Sequence, residues 1–395
     1  MRKLMILGAA YTQIPLFEAA KRLGVRTVAA SIPGDWPCFD LADECAFVDI
    51  SDPEAVAAAA REHAVDGITT CGLDLGMRAV GYTCEKLSLP GPSADAALKA
   101  SDKYEMKKAL AAHGVSTARF FCIRTEEELE AAMLKLPFPV IIKAVDLMGS
   151  RGIFRCDTED EARSSFRKSL EASNKDYCLI EEFIEGELFG TEGMIQNGGI
   201  CFLLPDNTEA FPGAVPTPVG HSVPFRLENE LGEAVIREAE KAVRAIGLDN
   251  CPVNIDLIHK DGRVYVVELT GRSGATGLSE MTGLWFGIDY YEMIVRMALG
   301  ENLKGCFRKT AGCGAVLVRT LMTREKGIVR SIINENDPSD PHIVQIYFNI
   351  EPGDEVRPYT NGRDRIGQII IRGENLENCG HILEKAMGRI RIELE

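Results

Sequence analysis

Two apolar runs joined by Asp-Gly constrain the fold more than any other stretch of this chain: "NIDLIHKDGRVYVVELTGR", residues 254–272. "VNIDLI" and "VYVVEL" alternate in part between apolar and polar residues, and Asp261-Gly262 between them is a strong hairpin signal. Asp256 and Glu268 lie near the open end, twelve residues apart, so cross-strand pairing puts both side chains on one face. Two carboxylates in an apolar hairpin repel each other unless a cation sits between them. Mg²⁺, a hard cation that takes oxygen ligands and keeps open positions, suits such a pair. Arg272, two strand steps beyond Glu268, is placed to hold a phosphate or a developing anion. The chemistry is expected on this hairpin.

The rest of the chain has room for two to four domains in its 395 residues. Residues 1 to about 95 alternate strand and helix: "KLMILGAA", "TQIPLFEAAKRLG", "VRTVAAS", "AFVDI", "EAVAAAAREHA", "VDGITTC". This βαβα order predicts a parallel sheet with helices on both faces. Loops at the carboxyl ends of such strands line a ligand crevice, which makes Gly8, Gln13 and Asp74 substrate candidates. "GAAYTQ" is not GxGxxG, so a dinucleotide is not indicated. Gly8 serves equally as a tight turn, and Asp74 equally as a helix N-cap.

"LPGPSADAAL" breaks the pattern near residue 95. A helix opened by Ser101 follows in "SDKYEMKKALAAHGV", then the strand "PFPVIIKAVD" with Lys143, the glycine-rich turn "MGSRGI", a helix, and strand–loop–strand in "YCLIEEFIEGELFGTEGMIQ". From about residue 301, short strands and one late helix predict a small α+β module.

A net charge of −15 disfavours nucleic acid and anionic membranes as partners. No run reaches the roughly 18 apolar residues of a membrane span, and "MRKLMILGAAY" reads as a buried first strand. Twelve cysteines without a CxxC pair read as reduced thiols of a cytoplasmic protein.

Four features join the hairpin. Lys143 beside "MGSRG" suits phosphates, since backbone N–H groups cradle oxygens and the ammonium neutralises charge. The absence of GK[ST] rules out a Walker loop. "LIEEFIEGELFG" crowds four acids around an apolar strand, where an adenine amino group and ribose hydroxyls could be received; alone it reads as a solvated acidic edge. Lys103 alone reads as an exposed helix lysine. His221 and Arg226 lie in a proline-flanked loop, "TPVGHSVPFRL", where a lone histidine is more often structural.

In their order and joint presence these features resemble the ATP-grasp superfamily, in the branch of biotin carboxylase, carbamoyl phosphate synthetase and the L-amino-acid ligases. The resemblance covers almost the whole chain and implies a multidomain α/β and α+β fold. Its parts are an N-terminal parallel-sheet pre-ATP-grasp domain (1–95), a two-part ATP-grasp core (96–300, mobile lid about 118–185) and a C-terminal α+β module (301–395).

Carried over by motif, Lys103 and Lys143 contact ATP, with Gly149, Ser150 and Gly152 forming the flap over its phosphates. Glu181, Glu182, Phe183 and Ile184 meet adenine, and Glu187 takes the ribose. Asp256 and Glu268 hold Mg²⁺, one or two ions, for which Mn²⁺ can substitute. Thr270 stands where the family has an asparagine ligand and would offer the second ion a single hydroxyl oxygen.

The implied reaction transfers the γ-phosphate of ATP to a carboxylate, and an amine then displaces phosphate from the acyl phosphate. Lys143 and Arg272 are the catalytic candidates, Arg272 holding the carboxylate and then the tetrahedral oxyanion. His221, Arg226, Asp74, Gly8 and Gln13 are left for the substrates, which are small metabolites such as amino acids. Bicarbonate as the acid, in a carboxylase or carbamoyl phosphate synthetase-like enzyme, is the alternative; no "AMKM"-like biotin-carrier motif occurs. A non-catalytic ATP-binding protein is another, permitted by Thr270. Relatives are often dimers, so the resemblance also implies a homodimer.

Overall fold

The computed structural model describes residues 1–147, 151–213, 215–309 and 314–395, without the side chain of Arg363. The chain opens with β1 (Lys3–Leu7), β2 (Arg26–Ser31), β3 (Glu44–Phe47) and β4 (Gly67–Thr69), a parallel sheet in the order β3-β2-β1-β4. β1, β2 and β4 are buried on both faces, which is why they read as continuous apolar runs. α1 (Ile14–Arg22) crosses from β1 to β2 and α2 (Pro53–Glu62) from β3 to β4, while α3 (Met77–Leu87) follows β4; among the described residues no α-helix lies between β2 and β3. Asp52 caps α2 by accepting from the N–H groups of Glu54 and Ala55.

Two helices leave this unit, α4 (Ala94–Ser101) and α5 (Lys103–Ala112). Ser101, expected to open α5, ends α4 instead. Asp102 is the cap: its carboxylate accepts from the N–H groups of both Tyr104 and Glu105. Lys103 is therefore the first residue of α5, and its side chain starts from a fixed helix end.

β5 (Phe120–Ile123), β6 (Val140–Ala144), β7 (Ile153–Cys156) and β8 (Cys178–Glu182) form an antiparallel sheet in the order β5-β8-β6-β7, accompanied by α6 (Glu126–Met133) and α7 (Glu159–Ala172). Leu129, Ile142, Phe166 and Ile180 give this unit a core of its own.

The central sheet is built from β9 (Glu187–Gln196), β10 (Gly199–Phe211), β11 (Thr217–Val223), β12 (Cys251–Lys260) and β13 (Arg263–Thr270). The amphipathic α8 (Glu228–Ile246) packs on it, and α9 (Leu278–Phe286) and α10 (Tyr290–Ala298) follow. The proline-flanked segment expected as a loop around His221 is largely strand β11. Pro218 sits where the β10–β11 register shifts, and Pro224 falls just past the strand, so neither interrupts the regular ladder.

The chain ends with β14 (Ala315–Leu321), β15 (Gly327–Asn334), β16 (Ile343–Phe348), β17 (Glu355–Val356), β18 (Gly367–Gly373), α11 (Leu376–Met387) and β19 (Ile390–Leu394). These elements do not all stand apart as a module. β14, β18 and β16 continue the central sheet, in the order β13-β12-β9-β10-β11-β14-β18-β16. β14 pairs with β11 and gives its outer edge a partner. Only β17-β15-β19 form a separate sheet. No helix among the described residues is long and apolar enough to cross a membrane.

Candidate active site

The hairpin forms at the Asp-Gly signal. Asp261 and Gly262 have φ of 49° and 74°, the positive values of a tight two-residue turn. Pairing runs from Lys260↔Arg263 to Leu257↔Val266, and there the register shifts. Val267 has no partner in this ladder, and the next pair is Asp256↔Glu268. Without that bulge Asp256 would oppose Val267, and Glu268 would turn to the other face of the sheet.

The two carboxyl groups are electrostatically frustrated. Burial, and next the charge of Glu268, push Asp256 well above the usual carboxylate range. A divalent cation relieves both effects, so the pair fits a hard cation with oxygen ligands. Among the described residues no group of three or more His, Cys, Asp or Glu forms a metal cluster. A cation here would take further oxygens from the ligand it accompanies, as Mg²⁺ does with phosphates.

Three lysines converge beside the pair. Lys103 Nζ donates to the carbonyl of Leu147 at 2.8 Å and lies 3.2 Å from Glu268 Oε2. Burial opposes its charge, but Glu268 more than offsets this and its pKa is raised. Lys143 Nζ, on β6, lies 2.8 Å from Glu181 Oε1. Lys107 Nζ, one helical turn past Lys103, lies 3.2 Å from Glu181 Oε2 and donates to Thr117 Oγ1 at 2.6 Å. Its side chain is 1% exposed, and burial, then the charge of Lys143, lower its pKa to about 8 against the pull of Glu181. Burial works against the charge of Glu181, yet the two lysines hold its carboxyl below its ordinary range.

These groups stand at one end of a cleft of about 380 Å³ between the β5–β8 sheet and the central sheet. Ile141 and Ile153 line it from the first sheet, and Leu188, Ile258 and Val266 from the second. Phe183, Ile184 and Gly186 border it where the chain crosses between the two. The cleft is thus apolar over much of its wall and strongly charged at one end. A planar base and a polyanionic tail are complementary to that division.

The remaining sequence candidates are distributed as follows. The Glu181 carboxylate meets the two lysines, and the Glu182 carboxylate accepts from the backbone N–H and Nε of Arg119 at 3.1 and 2.7 Å. Glu187 is half-exposed and pairs with Arg226 at 3.3 Å, while Arg226 N–H donates to Asn207 Oδ1. Gly149 and Ser150 lie outside the described residues; Gly152 has φ of 64°.

Thr270 Oγ1 donates to Asp74 Oδ1 at 2.8 Å, so the hydroxyl expected as a metal ligand is engaged by the first domain. Arg272 grips the same carboxylate, Nη2 donating to Oδ2 at 2.8 Å with Nε 2.8 Å from Oδ1. Asp74 is not the N-cap of α3, which Gly76 precedes, and both its oxygens are engaged by Thr270 and Arg272. Burial opposes its charge, but Arg272 prevails and its carboxyl lies below the ordinary range.

Gln13 is buried, donating from Nε2 to the carbonyl of Cys71 at 2.8 Å and accepting from the N–H of Ala10. Its amide braces the loop that was expected to line the substrate crevice. Gly8 has φ of 92°, and a Cβ there would meet Leu73 and Gln13 within 3.0 Å, so both its conformation and its surroundings require glycine.

His221 Nδ1 lies 2.8 Å from Asp206 Oδ1, and the aspartate is fully buried. Asp206 and Asp256 both pair with Gly190 of β9, so Asp206, Gly190, Asp256 and Glu268 form one row across the sheet. Two rungs along β9, Glu192 is fully buried and accepts from Gly274 N–H at 3.0 Å and Tyr290 Oη at 3.1 Å. Burial raises its pKa to about 8. Lys107, Glu192 and Asp206 were not singled out in the sequence. Only Lys107 carries a local signal, its spacing of four from Lys103 on one helix face; the acids become neighbours only through strand order.

Comparison with known proteins follows the same division. A family model described as an ATP-grasp domain matches residues 100–276, one described as an ATP-grasp N-terminal domain matches 17–91, and one described as L-amino acid ligase C-terminal domain 2 matches 319–395. A solved structure of phosphoribosylglycinamide synthetase from Anaerococcus prevotii is 39% identical and superposes with a TM-score of 0.85, covering 100% of both chains. A formate-dependent phosphoribosylglycinamide formyltransferase of Bacteroides fragilis is 24% identical over 400 residues, 98% of this chain and 97% of its own. The L-amino acid ligase of Bacillus licheniformis shares the fold, with a TM-score of 0.84 at 21% identity over 100% of this chain and 99% of its own.

Proposed function

The chain belongs to the ATP-grasp superfamily of carboxylate–amine ligases, and on that premise we propose that it joins a small carboxylic acid to an amine through an acyl phosphate, ATP becoming ADP and phosphate. The observation that carries this reading is the polarity of the cleft: an apolar slot ending at Lys103, Lys143 and the opposed carboxylates of Asp256 and Glu268.

The apolar walls take adenine, bordered by Phe183 and Ile184. Lys103 and Lys143 meet the phosphates. Asp256 and Glu268 would hold Mg²⁺, or Mn²⁺ in its place, which offsets phosphate charge during transfer. Arg272 stands beyond them to hold the acid and, later, the oxyanion. The β5–β8 unit, with its separate core, acts as the lid, since an acyl phosphate hydrolyses where water enters. His221, oriented by Asp206, and Arg226 stand on the side of the second substrate.

The test is release of ADP and phosphate from Mg·ATP with three separate mixtures: amino acids, organic acids plus ammonia, and bicarbonate plus glutamine. Stimulation by either of the first two is expected. Stimulation by bicarbonate alone would make the protein a carboxylase or carbamoyl phosphate synthetase-like enzyme. Nucleotide binding without turnover in any mixture would overturn the ligase reading in favour of a non-catalytic ATP-binding protein.

A further inference from the structure

Lys107 lines the cleft yet has no part in the reaction above. Its surroundings are specific. Nζ donates to Thr117 Oγ1 at 2.6 Å, and that hydroxyl donates to the carbonyl of Val266 at 2.8 Å, on the strand that carries Glu268. On its other side Nζ lies 3.2 Å from Glu181 Oε2, while Lys143 Nζ lies 2.8 Å from Oε1 of the same carboxylate. One carboxylate is shared between two ammonium groups, all three nearly fully buried.

The arrangement decides how much charge Lys143 can offer. A buried ammonium is costly unless paired, and Glu181 is the carboxylate that Lys143 meets. A one-to-one pair with Glu181 would cancel that charge at the phosphate end of the cleft. A second lysine on the same carboxylate leaves a formal charge of +1 for the trio. The contacts also run across the molecule: Lys107, Thr117 and Val266 connect α5 to β13, whereas Glu181 and Lys143 belong to the β5–β8 sheet.

We infer that Lys107 is a positioning residue for the phosphate-binding Lys143, acting through Glu181. By drawing on that carboxylate from the opposite side, it leaves a net positive charge at Lys143 for the ligand and fixes the strand that carries it. The inference rests on the nucleotide reading of the cleft, and its test separates the two.

Calorimetry would measure Mg·ADP and adenosine binding to the wild type, Lys107→Met, Lys107→Arg and the double variant Lys107→Met/Glu181→Gln, with a thermal melt of each. Lys107→Met is expected to weaken Mg·ADP about tenfold while adenosine stays within about twofold, because charge at Lys143 touches only the phosphates. Lys107→Arg is expected to recover most of the loss. The double variant is expected to return to within about threefold of the wild type, since the trio then carries a formal charge of +1 again. Equal weakening of both ligands, or a double variant no better than Lys107→Met, would overturn the inference. Should Lys107→Met not fold, the arginine and double variants still decide it. A wild type that bound neither ligand would remove the nucleotide reading itself, and this inference with it.

Discussion

Asp256 and Glu268 face each other across β12 and β13 because Val267 is left out of the ladder between them. One bulged residue converts an out-of-phase pair into two opposed carboxylates, and the repulsion this creates is what a divalent cation relieves. Glu268→Gln is expected to abolish turnover with the fold intact, a loss of several kcal/mol of transition-state stabilisation or roughly 10²–10³-fold in rate. Mg²⁺-dependent thermal stabilisation in the presence of ADP should vanish with it. Unchanged turnover in this variant would falsify the site assignment.

Asp74 ties the first domain to the hairpin through Thr270 and Arg272. Asp74→Asn keeps the shape but removes the charge that Arg272 faces. It is expected to destabilise the protein by about 1.5–3 kcal/mol, the range for a hydrogen bond to a charged group, measured by denaturant unfolding. If Arg272 meets the acid substrate, kcat should fall more than affinity for ATP. A rise in KM for ATP with kcat intact would move Arg272 to the nucleotide side.

Glu192 makes stability depend on pH. Its folded pKa, about 8, lies above its ordinary value of 4.5, so between those values the native state keeps a proton that the unfolded chain has released. Stability therefore falls as pH rises through that window and levels off above it. Glu192→Gln does not titrate. Relative to wild type it is expected to gain on the order of 1–3 kcal/mol between pH 5 and pH 8.5, read from urea unfolding at both values. A constant difference between the two proteins would mean that Glu192 titrates alike in both states.

Gly190 separates Asp206 from Asp256 in the row across the sheet. A Cβ on Gly190 would lie 2.7 Å from Asp206 Oδ2, closer than atoms normally approach. Gly190→Ala is expected to push Asp206 off His221 and to cost about 1–3 kcal/mol of overpacking strain, with lower turnover. His221→Gln should reproduce the loss of turnover without the loss of stability. Full activity in Gly190→Ala would leave the Asp206–His221 pair without a role in the reaction.

Much of the fold was legible because it depends on local periodicity. The continuous apolar runs of β1 and β2, the helix between them, and the Asp-Gly hairpin all carry their own signals. The loop reading of β11 failed because Pro218 and Pro224 look like breakers, whereas one lies at a register shift and the other just beyond the strand. The C-terminal strands were visible as strands, but not as extensions of the central sheet. Alternation reports that a strand has a buried face and is silent about its neighbour.

By itself the sequence determined the strand–helix alternation of the first domain, that a turn must fall at Asp261-Gly262, and that two lysines, two carboxylates and an arginine recur in one family's order. Tertiary structure alone decided the rest of the site. The bulge at Val267 set which face Glu268 takes, the packing of α5 against β8 added Lys107 to the Lys143 that β6 brings to Glu181, and the first domain's loop brought Asp74 to Arg272, 198 residues away in the chain. Charge interactions act through space at a few ångströms, and residues this far apart in sequence reach that separation only when the packed sheets and helices fix it.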